Sequence, residues 1–167
     1  MTFKSIETIL AEAEVSGALK RFEPAFDEDE CEKRRLYLSK DTRNRIYNHP
    51  AHQRDYFANV RAVLKEYVIG EEIEDDEQFF KRLTPRRNPH LTDIWEIKIT
   101  FAPKARIFGA FAGQDCFVAI TSRLRDKCPF EDAMEKVHYT WNRLFPGHPR
   151  FRCWPLDQCI TDCGGYT

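Results

Sequence analysis

Residues 93–121, DIWEIKITFAPKARIFGAFAGQDCFVAIT, constrain this chain more than any other stretch. Within 94–101, Trp95, Ile97, Ile99 and Phe101 alternate with Glu96, Lys98 and Thr100. A period of two sustained over that length marks a half-buried strand. Pro103 ends it, because proline has no N–H to contribute to a ladder. Residues 106–112 are apolar after Arg106 and predict a second strand, 112–115 carry turn chemistry, and 116–121 predict a third strand. Links this short make antiparallel neighbours, since a parallel crossover needs about a dozen residues or more. The meander is the expected sheet core, and the rest of the chain is expected to cover its apolar face.

The flanking segments supply that cover. Phe3, Ile6, Ile9, Leu10 and Ala13 recur at helical spacing and predict an amphipathic helix over 3–15. Ser16-Gly17 ends or bends it, with 18–22 open to a further turn. Residues 34–39 predict a short strand, and Asp41-Thr42 a cap for a helix running to about Asn48, where His49-Pro50 stops it. A broad apolar stripe from Tyr56 to Val68 predicts a second helix over 54–69, with Gly70 at its C-cap. Residues 71–77 are an acidic run, 79–83 are expected to form one helical turn, and the two prolines of 84–89 make a loop. After the meander comes a basic turn over 123–127. A last helix then opens at Pro129 and carries Phe130, Met134, Val137, Trp141 and Leu144.

The predicted order is strand–helix–helix–strand–strand–strand–helix. This is an α+β fold in which helices cover one side of a small, largely antiparallel sheet. Residues 1–32 form an acidic N-terminal helical extension, 33–146 the α+β domain, and 147–167 an irregular tail containing Cys, Gly and Pro, expected to fold back through Phe151 and Trp154.

A net charge of −1 hides alternating blocks. Residues 1–32 hold 3 basic and 9 acidic side chains, residues 33–70 hold 9 and 3, and residues 81–127 hold 10 and 4. A basic patch can hold phosphate even on a near-neutral protein, because its field is local. The acidic N-terminal helix could lie over the basic sheet region and mask it, or Phe3, Ile6 and Leu10 could complete the core. No apolar run is long enough to span a membrane, and acids interrupt the apolar N-terminus. The expectation is a cytoplasmic protein without membrane association. Six cysteines are present, and without an export signal no disulfide is expected. The spacing of Cys153, Cys159 and Cys163 is wider than the usual zinc pairs, so no metal is assigned.

The element order, with IWEIKI (94–99), ARIFGAF (105–111), CFVAIT (116–121), a basic turn and a helix, resembles the RelE/ParE toxin superfamily, especially its HigB-like, phage-derived members. The resemblance implies a toxin-like protein of a toxin–antitoxin pair. Its partners would be an antitoxin from a neighbouring gene and, in a ribosome-dependent mRNA endonuclease, the ribosome with its mRNA. The alternative is a non-catalytic binding module of the same fold, either a gyrase inhibitor or a protein-docking relative. In the nuclease the RNA 2′-hydroxyl attacks the adjacent phosphate, and no cofactor is needed. Cationic side chains neutralise the growing charge and a proton carrier assists. The catalytic candidates are Arg106 as central phosphate ligand, Arg123 and Arg125 as a clamp, and His138 as proton carrier. Lys98, Lys104, Arg86 and Arg87 are candidate RNA-binding residues. Arg106 has a competing reading as a strand arginine paired with Glu96.

Overall fold

The structure, a computed structural model, describes residues 3–73, 79–127 and 129–161. The meander forms as predicted: β4 (Trp95–Ile99), β5 (Ala105–Gly113) and β6 (Cys116–Leu124) are consecutive antiparallel neighbours. At Gly109 a Cβ would lie 2.0 Å from the Val118 carbonyl oxygen, so the irregular β5–β6 register there requires a residue without a side chain.

Three further strands, β1 (Leu19–Arg21), β2 (Arg35–Ser39) and β3 (Phe80–Arg82), extend the meander in the order β1-β2-β6-β5-β4-β3. β2 is the strand expected over 34–39, and it pairs parallel to β6, with Leu36 opposite Phe117. β1 follows α1 (Ile6–Val15) and lies antiparallel on β2, which settles the open reading of 18–22 as a strand. β3 replaces the helical turn expected over 79–83 and pairs antiparallel with β4. The reason is tertiary. β4 offers an open edge, and there the Phe80 ring is buried against Trp95, Phe111 and Phe117.

Helices cover both faces of this sheet, not one. On the first face α2 (Lys40–Tyr47) and α3 (Arg54–Ile69) bury Ile46, Val60, Leu64 and Tyr67 against Leu36, Ile97, Ile107 and Phe117. On the second, α1 and α4 (Phe130–Leu144) bury Leu10, Met134, Val137 and Trp141 against Tyr37, Phe108, Val118 and Ile120. The alternation in β4 suggested one wet face, but β5 and β6 are apolar on both, and such strands must be covered twice. The α2 cap is Ser39 rather than Asp41-Thr42: its hydroxyl accepts from the Thr42 amide at 3.2 Å. Gly70, at φ +78°, closes α3 as predicted, in the left-handed conformation that glycine adopts most readily.

The tail folds back on the body, and the Phe151 amide donates to the Phe111 carbonyl at 2.8 Å. Cys153 and Cys159 form a disulfide, contrary to the expectation of none, and both are buried on the α3 face with Leu156 and Ile160. A 3₁₀ turn at Leu156–Gln158 brings the two cysteines together, so the pairing follows from local chain curvature that the spacing did not reveal. Arg34, 1% exposed, anchors this layer by donating to the carbonyls of Tyr67, Glu71 and Thr161. Cys116 is buried as expected, and burial pushes its thiol up to about 11. Cys128, Cys163 and most of the acidic run lie outside the described residues. No helix among the described residues is long and apolar enough to cross a membrane.

Candidate functional site

Arg106 lies on the α4 face of β5, directly opposite Lys98 on β4 and Arg123 on β6. Its guanidinium is not open to an incoming phosphate. It is bonded to the carboxylate of Glu96, lies 5.1 Å from the Phe130 ring centre, and has a side chain only 13% exposed. Of the two readings of Arg106, the cross-strand ion pair is the one formed. Glu96 is 1% exposed, and burial holds its carboxyl above the ordinary carboxylate value, with Arg106 and Lys98 pulling the other way. Glu96 Oε2 and Arg106 Nε are buried with no hydrogen-bond partner among the described residues.

Arg123 turns away from this pair. Its Nη1 donates to Thr121 Oγ1 at 2.8 Å and to the Ser122 carbonyl at 2.9 Å, and lies 3.8 Å from Asp41 at the start of α2. Asp41 also accepts from Lys136 of α4 at 2.9 Å and from Thr121 at 3.0 Å. Burial works against the Asp41 charge, but these donors prevail and its carboxyl stays below the ordinary range. Two neighbouring arginines on the sheet are thus each engaged by a separate carboxylate.

The other candidates are scattered. Arg125 is exposed in a 3₁₀ turn, and its amide donates to the carbonyl of exposed Lys104 at 2.9 Å. The Arg86 and Arg87 amides both donate to Glu131 Oε1, which ties their loop to the first turn of α4. His138 stands eight residues along α4 from Phe130, about 12 Å away at 1.5 Å per residue. Its Nδ1 lies 3.2 Å from Arg150, which itself donates to the carbonyls of Thr92 and His90. Burial, then Arg150 and His90, hold the His138 imidazole below its ordinary value. This cluster joins α4, the tail and the 90–92 loop. The structure therefore does not bring Arg106, Arg123, Arg125 and His138 into one pocket.

A concave feature lies elsewhere. A cavity of about 650 Å³ opens between α2, the start of α3, Pro103 and Leu124. Asp41, Asn44, Arg45 and Asn48 line it from one face of α2, at the helical spacing that stacks side chains on one side. His49, His52, Tyr56 and Phe57 line the other wall. The His49 and Phe57 rings stack at 4.7 Å, and the Tyr56 hydroxyl donates to the Pro103 carbonyl at 2.8 Å. Sequence reasoning missed this cleft. Its only signal was a polar face on α2 followed, beyond His49-Pro50, by an adjacent Tyr-Phe pair. Among the described residues no three His, Cys, Asp or Glu side chains converge as a metal site. No protein-family description, no curated protein and no solved structure matches this chain, so the likeness to the RelE/ParE superfamily rests on the element order and the local motifs alone.

Proposed function

We propose that this protein acts by binding rather than by cutting, as a toxin-like module in the RelE/ParE manner whose sheet arginine is structural. One observation carries the reading: Arg106 is closed against buried Glu96 beneath Phe130. A guanidinium already neutralised and screened from water has little left to offer a phosphate in a transition state. The expected partner is an antitoxin encoded by the adjoining gene. The ribosome and its mRNA are partners only in the catalytic alternative.

Inducible expression with primer extension on host mRNA tests this reading. The expected result is transcripts without discrete new ends, whatever the effect on growth, and the same pattern for Arg106→Gln. Discrete cuts that vanish in Arg106→Gln while the variant stays folded would overturn it in favour of a ribosome-dependent mRNA endonuclease.

A further inference from the structure

We propose that the cleft between α2 and α3 is a binding site for a nucleoside phosphate, with the base against the His49–Phe57–Tyr56 wall and the phosphate on Arg45. The inference stands on this cavity and not on the toxin-like reading. At about 650 Å³ the space falls within the range of small-molecule sites. Its aromatic wall is built before any ligand arrives. His49 stacks on Phe57 with the planes 16° apart, Tyr56 meets Phe57 edge-on at 4.9 Å, and the Tyr56 hydroxyl is tied to Pro103. A held ring with an accessible face is what a nucleobase stacks on, whatever its identity.

The opposite wall supplies charge and edge recognition. Arg45 is exposed, and no carboxylate bonds to it among the described residues. Asp41, the one acid lining the cleft, is engaged by Lys136, Thr121 and Arg123, so the Arg45 guanidinium keeps its donors without a bonded carboxylate. An arginine so placed can take a phosphate by two parallel charge-assisted bonds. Asn48 Nδ2 donates to Asn44 Oδ1 at 3.3 Å, which leaves the Asn44 amide group as donor and the Asn48 carbonyl as acceptor for a base edge. Exposed Lys104 and Arg125 follow directly in sequence on the lining residues Pro103 and Leu124. The same chemistry serves a free mononucleotide or one nucleotide of a single strand.

The test is a titration of the full-length protein with adenosine monophosphate, uridine monophosphate, a short oligouridylate, inorganic phosphate and polyglutamate, followed by calorimetry and amide chemical shifts. Saturable binding of a monophosphate or the oligouridylate is expected, with shifts centred on residues 44–57. Arg45→Gln is expected to weaken it about tenfold or more, the loss of one charge-assisted contact. His49→Ala, which removes the stacking face, is expected to cost about as much. Arg45→Gln should melt with the parent protein, and His49→Ala, which gives up the ring stack on Phe57, about 2–4 °C below it. Tighter binding of the oligouridylate, with the same dependence on Arg45, identifies a strand as the source, and equal binding identifies the free nucleotide. The proposal is overturned by the absence of saturable nucleotide binding or by binding that both variants leave unchanged. Inorganic phosphate or polyglutamate binding as tightly as the nucleotides would also overturn it, since the site would then be a plain anion patch.

Discussion

At the scale of the residue, Glu96 and Arg106 decide between a working phosphate site and a piece of core. Removing Arg106 leaves a carboxylate in a place 1% exposed, and loss of one partner of a buried pair costs about 3–5 kcal/mol. Arg106→Met is therefore expected to lose about that much stability, whereas the double variant Glu96→Leu/Arg106→Met recovers most of it. Urea denaturation of the four proteins in the cycle measures this. A phosphate ligand would behave in the opposite way, with little stability lost on removal and no rescue by the second change. Glu96 also sets a pH signature. Burial raises its carboxyl above the ordinary value of 4.5, so the folded protein keeps a proton that the unfolded chain has released. The stability from this group is fully present below the ordinary value and is lost as pH rises through the raised one. Glu96→Gln, neutral throughout, should flatten that part of the stability curve. Parallel curves for the two proteins would show that the carboxyl titrates normally.

Elements show which parts of the structure were legible in the sequence and which were not. β4, α3 and α4 were, because each carries its own period and its own stop signal. Even the Glu96–Arg106 pair was visible as an option, since Glu96 falls on the polar side of its strand and Arg106 opens the antiparallel neighbour. β3 was not, because nothing within FKR marks it as a strand; the open edge of β4 does. The cleft was hidden for a similar reason: its walls come from two helices whose relative angle no local pattern encodes. The N-terminal segment also changes its meaning. Ile9, Leu10 and Leu19 are buried in the α4-side core and β1 covers the edge of β2, while Phe3, expected inside, is 82% exposed. Charge still contributes, since Glu7 bonds Arg35 through both carboxylate oxygens at 2.6 and 2.8 Å, but the segment is core first and screen second. Deleting residues 1–32 removes at least three large buried side chains, whose burial contributes about 1.5–3 kcal/mol each, and bares the α4-side core that they cover. Against a typical total of about 5–15 kcal/mol, the truncated protein is expected to be unfolded or insoluble, as solubility and far-ultraviolet circular dichroism will show. A soluble, folded truncation that arrests growth where the full chain does not would mean that the segment is a removable mask.

Across the whole molecule, two cores share one set of strands, and this makes the fold a single cooperative object. β2 sits inside the sheet only because it pairs parallel with β6, a strand some eighty residues later in the chain. Along β2 the side chains alternate between the layers: Leu36 and Leu38 enter the α3 side, and Tyr37 between them enters the α4 side. Neither layer can loosen while the strand stays rigid, and neither can keep its packing if the strand is lost. Leu36 is fully buried, so Leu36→Ala is expected to cost about 2–5 kcal/mol through lost contacts and the cavity left behind. The more informative readout is where that loss appears. If β2 couples the layers, native-state hydrogen exchange should accelerate for the slowest amides of α4, which Leu36 never touches, by the same free energy as for those of α3. Faster exchange confined to α3, with α4 unchanged, would mean two independently stable layers on a common sheet, and the coupling assigned to the β2–β6 pairing would be wrong.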